Sequence, residues 1–143
     1  MEIRIMKIDD YEEVYKLWTE TAGMGMRSLD DSQEGIEKFL KRNPGSNFVA
    51  INDGKIIGVI LCGHDGRRAY IYHTAVNTLF CKKGIGKALV DAVIKAMQIE
   101  GINKIALVAF ANNKLGNSFW QSMGFEERTD LTYRNISINN NNK

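Results

Sequence analysis

The stretch Phe80–Val90, FCKKGIGKALV, decides how this chain is read. Two glycines, Gly84 and Gly86, stand among Lys82, Lys83 and Lys87, and an apolar, helix-favouring run begins at once. The N-terminus of a helix leaves backbone N–H groups unpaired and carries a partial positive charge, so an anion is stabilised there. Glycine lets a ligand approach the main chain closely. The stretch therefore predicts either a phosphate cradle or an ordinary strand-to-helix turn with solvated lysines, and a short glycine motif does not separate the two. The nucleotide P-loop pattern fails: Cys81 stands where its first glycine belongs, and Ala88 follows Lys87 where a hydroxyl residue is needed. The dinucleotide fingerprint fails too, because its third glycine position is Leu89.

Working outward, the segment before the loop, AYIYHTAV, is rich in β-branched and aromatic residues and reads as a strand. Ile85, Leu89, Ala92, Val93, Ala96 and Ile99 recur at helical spacing, with Gly101 as the stop. KIALVAF, a nearly continuous apolar run, predicts a strand near the middle of a sheet. A short helix closed by Gly124 follows, then one or two strands in ERTDLTYRNISI. Upstream, MEIRIMKI alternates as a half-buried strand, with Asp9 or Asp10 placed to cap a helix carrying Val14, Leu17 and Trp18. Asp31 or Ser32 is placed to cap a second helix with Ile36, Phe39 and Leu40 on one side. Asp53-Gly54 between two apolar runs predicts a hairpin. The order β-α-α-β-β-β-α-β-α-β predicts an α/β (α+β) fold, a mixed sheet with helices on its faces. We expect one domain over residues 1–137 and a disordered polar tail over 138–143.

The chain has 143 residues, 44% of them hydrophobic and 25% charged, with a net charge of +2. That balance suits a globular protein and lacks the strong basic footprint of a nucleic-acid binder. No apolar run approaches the roughly 18 residues of a membrane span, and MEIRIMKIDD lacks the apolar core of a signal peptide. Two cysteines, Cys62 and Cys81, show no framework spacing, which suits free thiols in a reducing compartment. The expected location is the cytoplasm, with no nucleic-acid or membrane partner. Cys62, His64, His73 and Cys81 match no metal-site spacing, so no metal is expected.

The loop resembles the acyl-CoA pyrophosphate motif of the GNAT superfamily of N-acetyltransferases, [Q/R]-x-x-G-x-[G/A], here Cys81-Lys82-Lys83-Gly84-Ile85-Gly86. Its flanks extend the resemblance. YIYHTAV looks like the family's central strand, INKIALVAFANN like the next, and Asn113–Phe125 is similar to the family's N-x-x-A-x-x-[FL]-[YW]-x-x-x-G-F segment. The resemblance implies a mostly antiparallel sheet in which one parallel strand pair splays apart to admit the arm of acetyl-CoA. It implies that Thr74, Ala75 and Val76 supply backbone groups to that arm. Residues Lys82, Lys83, Gly84, Ile85, Gly86, Lys87 and Ala88 would hold the pyrophosphate, with Cys81 beside them. Asn113 would contact the arm or cap its helix, and the Val76 N–H would stabilise the oxyanion.

The implied reaction is direct attack of an amine on the acetyl thioester. Against the family pattern, Trp120 stands where many members place a tyrosine acid, and an indole N–H is no practical proton source. Trp120 is expected to pack against the thioester or acceptor instead. No glutamate base lies on the strand after the long helix, so His73, or Tyr72 through water, is the candidate base. Cys81 replaces the family's Gln or Arg and reads as a neutral spacer. TETAGMGMRSLDD is the expected acceptor wall, with Met24 and Met26 as adaptable contacts and Arg27 as a partner for a carboxylate. Asp30 and Asp31 are placed to attract a cationic amine or to cap a helix. Tyr133 is a weaker base candidate, more suited to core packing. The acceptor is a small-molecule or protein amine, and the chain a monomer or homodimer. The missing tyrosine and glutamate also allow a non-catalytic acyl-CoA-binding or sensing module.

Overall fold

The computed structural model describes residues 1–143. Five strands form one sheet in chain order: β1 (Glu2–Ile5), β2 (Phe48–Asn52), β3 (Lys55–His64), β4 (Ala69–Val76) and β5 (Ile105–Ala106). The first four pair antiparallel, and β4 and β5 run parallel. Four helices flank the sheet: α1 (Tyr11–Thr19), α2 (Gln33–Arg42), α3 (Ile85–Ile99) and α4 (Lys114–Ser122). The expected hairpin joins β2 to β3, with Asp53 at φ 50° and Gly54 at φ 74°. Both turn residues are left-handed, as a two-residue hairpin of the right twist requires. Of the two caps proposed for α2, Ser32 performs the role, its hydroxyl accepting from the Gly35 N–H at 3.0 Å. Asp10 precedes α1 but does not cap it with its side chain. Its carboxylate instead accepts the Lys7 N–H and forms a two-point pair with Arg4.

The sheet separates two apolar cores. On one face Ile60, Cys62, Ala69 and Ile71 meet Ile85, Leu89, Val90, Val93 and Met97 of α3. On the other, Val59, Leu61 and Ala75 meet Val14, Leu17 and Trp18 of α1 and Ile36 and Leu40 of α2. Alternation along β4 alone cannot produce this, since Ala69, Ile71 and Ala75 are all odd-numbered. A bulge resolves it. Cys62 pairs with Ile71 and Ile60 with Thr74, so two steps along β3 match three along β4. The extra residue switches the facing of everything after it. His73 consequently turns toward α1, edge-on to Trp18 with ring centroids 5.1 Å apart.

The C-terminal third departs from expectation. KIALVAF forms only the two-residue β5, paired with Ala69 and Tyr70, after which the chain leaves β4. ERTDLTYRNISI forms no strand at all. Its β-favouring residues find no ladder: Tyr133 is 64% exposed, not core, and Ile136 is 86% exposed. Propensity without a partner and a buried face does not make a strand. Residues 141–143, inside the segment expected as an unstructured tail, run beside residues 28–30. The Ser28 N–H donates to the Lys143 carbonyl at 2.7 Å, and the Asn142 amide donates to Asp30 at 2.8 Å. No helix is long and apolar enough to cross a membrane.

Candidate active site

Beyond Tyr70 the inner edge of β4 has no strand beside it. Register determines which backbone groups face that gap. The Asn77 N–H donates to the Ile57 carbonyl at 2.8 Å, which makes 77 and 57 a hydrogen-bonded pair, and by antiparallel alternation Ala75 and Val59 are the next such pair. Val76 and Thr74 occupy the intervening pairs, and their N–H and C=O groups point away from β3, into the gap. Of the three residues expected to line the arm, Ala75 differs: its backbone is committed to β3 and its side chain is buried under α1.

The gap opens onto the start of α3. Gly84 is the N-cap residue at φ 80°, with no side-chain cap and open space around it. Lys82 is also left-handed, at φ 63°. The Ile85 side chain is buried in the α3 core and anchors the first turn. A Cβ on Gly86 would meet the Phe119 ring at 3.0 Å, which seats α4 against that turn. The first amides of α3, from Ile85 through Lys87, therefore lack side-chain acceptors, the arrangement an anion satisfies. The three lysines do not act alike. Lys83 lies 5.5 Å over the Phe80 ring, and Lys87 reaches along the helix to Asp91 at 2.6 Å, past Ala88. The Cys81 thiol folds back against the carbonyls of Asn77 (3.7 Å) and Val76 (3.9 Å), so it braces the strand end next to the gap. Asn113 caps α4, accepting the Gly116 N–H at 3.0 Å.

The acceptor wall comes close to this region. A Cβ on Gly23 would lie 3.0 Å from the Asn113 amide, and one on Gly25 would lie 3.3 Å from Phe110. The glycines let residues 23–25 approach the start of α4. Met24 and Met26 pack on the α1–α2 core. Met26 and Arg27 line a cavity of about 290 Å³ with Tyr11, Tyr15, Ser28, Asp31, Ser32 and Lys143. Tyr72, 49% exposed, leans edge-on to Phe39 and beside Tyr70. Burial, aided by Asp30 and Tyr133, pushes its phenol above the ordinary range, so at neutral pH it holds its proton and is a poor direct base.

His73 is placed differently. Its Nε2 lies 2.8 Å from the Asp31 carboxylate, and only a sixth of its side chain is exposed. Asp31 was visible in the sequence as a cap or an acid near the acceptor; its contact with His73 was not. The two are 42 positions apart, and no local pattern links them. Trp120 falls outside the acceptor group. It packs edge-on between Phe119 (5.0 Å) and Phe125 (5.2 Å) on the α3 side of the sheet, opposite Met24, Met26, Arg27 and Tyr72. Edge-to-face packing of this kind is the favoured geometry for aromatic rings and holds the indole in place.

Residues 11–125 match the sequence model of the Acetyltransferase (GNAT) family. The chain is 32% identical over 126 residues to an acetyltransferase of Sodalis glossinidius (strain morsitans), a match covering 88% of this chain and 87% of that one. Its fold is similar to the PaiA N-acetyltransferase of Thermoplasma acidophilum, solved with coenzyme A, at TM-score 0.72 and 24% identity over 85% of this chain and 86% of that one. It is also similar to the aminoglycoside acetyltransferase AAC(6')-Iy, solved with a CoA-based bisubstrate analogue, at TM-score 0.73 and 23% identity over 95% and 98% of the two chains. The chain belongs to the GNAT acetyltransferase family.

Proposed function

We propose that the chain transfers an acetyl group from acetyl-CoA to a primary amine by direct attack while both are bound. The observation that carries the reading is the unpaired edge of β4, where the Thr74 and Val76 backbone groups face a gap leading to the uncapped amides of α3. An extended amide-bearing arm can complete that edge as a strand would, with its phosphates on the amides at Ile85–Lys87. The neutral amine attacks the carbonyl carbon, a C–N bond forms, the C–S bond breaks, and the electron pair leaves as the CoA thiolate. The Val76 N–H donates to the oxyanion, and the His73 imidazole takes the amine proton. A thiolate is a fair leaving group, so Trp120 in its aromatic stack need not supply an acid. The acceptor enters along Met24, Met26, Arg27 and Tyr72.

The test is a thermal-shift titration with acetyl-CoA, CoA and ATP, followed by thiol release across a panel of small-molecule and peptide amines. Stabilisation by both CoA species but not by ATP, and amine-dependent thiol release, is the expected result. Binding without release from any amine would leave a sensing module. No stabilisation by either CoA species would sink the reading altogether.

A further inference from the structure

We propose that Asp31 is a positioning residue that fixes the proton of His73 and ties the imidazole to the acceptor wall; this rests on His73 being the base. Both carboxylate oxygens are committed. Oδ1 lies 2.8 Å from His73 Nε2, and Oδ2 accepts the backbone N–H of Arg27 at 2.6 Å. The residue is 6% exposed, and its own carbonyl accepts the Tyr11 hydroxyl at 2.7 Å. An ionised carboxylate can only accept, so the proton between the two side chains belongs to Nε2. The free lone pair of a neutral ring is then on Nδ1, the nitrogen left for the incoming amine or an intervening water. Trp18, edge-on at 5.1 Å and fully buried, blocks rotation of the ring.

The second oxygen gives this arrangement its reach. Arg27 and Asp31 line the same cavity as Met26, Tyr11 and Tyr15. A molecule bearing on that wall displaces the peptide whose N–H is held by the carboxylate that orients the base. Acceptor seating and base orientation thus share one side chain. Asparagine at this position would offer one acceptor oxygen to two donors, so either His73 or Arg27 would lose its partner.

The experiment uses the full chain with ¹⁵N-labelled histidine near pH 8. The only other histidine, His64, is removed by His64→Gln. Long-range ¹H–¹⁵N spectra are expected to show the Nε2–H form for His73 and a mixture of tautomers in Asp31→Asn. Asp31→Glu, which keeps two acceptor oxygens, should restore the Nε2–H preference. With an amine that turns over, Asp31→Asn should lower kcat roughly 10- to 100-fold, less than the loss of a base outright, with KM for acetyl-CoA unchanged. An Nδ1–H or doubly protonated ring in the parent protein, a measurement that needs no Asp31 variant to fold, would overturn the proposal. So would an Asp31→Asn spectrum identical to the parent's. A His73→Gln variant with full turnover would retire His73 as base while leaving the tautomer result standing, so the two ideas fail separately.

Discussion

Gly86 and Phe119 meet so closely that a Cβ on Gly86 would lie 3.0 Å from two carbons of the Phe119 ring. The ring has little room to retreat, because Trp120 stands edge-on to it at 5.0 Å and Phe125 backs Trp120 at 5.2 Å. Gly86→Ala gains about 1 kcal/mol of helix propensity but overpacks this contact at a cost of about 1–3 kcal/mol. We expect a net loss of about 1 kcal/mol in urea unfolding, with the m-value unchanged, and partial recovery in the Gly86→Ala/Phe119→Leu double variant. A Gly86→Ala protein more stable than the parent would show that the ring is free to move.

Gly84 is the complementary case. Nothing lies within 4 Å of a Cβ built there, yet its φ is 80°. Gly84→Ala is therefore expected to cost about 1–2 kcal/mol through backbone conformation alone, and Gly84→Asn less, since asparagine tolerates the left-handed region. Calorimetric titration with CoA should show weaker binding by Gly84→Ala, because the adjacent amides are reset. Unchanged affinity would separate the loop from the phosphates.

How much of this was legible in the sequence depends on the range of the interaction. Local chemistry read well: Asp53-Gly54 made its turn, the apolar spacing of α3 gave its limits, and Asn113 caps α4. Long-range choices did not. Nothing in ALVAF says that pairing stops at Ala106, because that depends on whether β4 stays alongside. Nothing in YRNISI says that it lacks a neighbour to pair with. Trp120 was assigned to the acceptor from its alignment with a tyrosine position, whereas the nearness of Phe119 and Phe125 fixed where it packs. His73 stood out by its pKa class, but its facing required the bulge and its partner required the fold.

Acid should expose the Arg4–Asp10 pair. Hydrogen bonding from Arg4 holds the Asp10 carboxyl below its ordinary value of 3.8, with the Lys7 N–H adding to it and burial opposing. The native state thus resists protonation more than the unfolded chain does. The resulting stability is complete above the ordinary value and is lost as pH falls through the lowered native one. Asp10→Asn should cost about 1–3 kcal/mol at pH 7, and the difference from the parent should shrink in unfolding curves below about pH 4. A difference that stays constant down to pH 2 would mean the charge is not what matters.

The two thiols should separate cleanly. Cys62 is fully buried, and burial pushes its thiol up to about 12. Cys81 is exposed beside the loop. Ellman's reagent at pH 8 should titrate one thiol in the native protein and the second only after denaturation, because the thiolate is the reactive form. Saturating acetyl-CoA, whose sulfur is acylated and does not react with the reagent, should slow the first reaction. Two fast thiols would contradict the burial of Cys62, and a rate indifferent to acetyl-CoA would place the bound molecule away from Cys81.

The bulge in β4 behaves like a change of reading frame partway along a message. Before it, odd positions belong to the core under α3; after it, odd positions belong to the core under α1. A single-residue deletion at Tyr72 or His73 would remove the extra residue and leave β4 alternating regularly, with Thr74 still opposite Ile60 and Ala75 still opposite Val59 under α1. Both cores and the open edge at Thr74 and Val76 would keep their facing, and the site would lose one of the two side chains that the bulge fits between Ile71 and Thr74. The extra residue therefore adds a side chain to the site at no cost to either core.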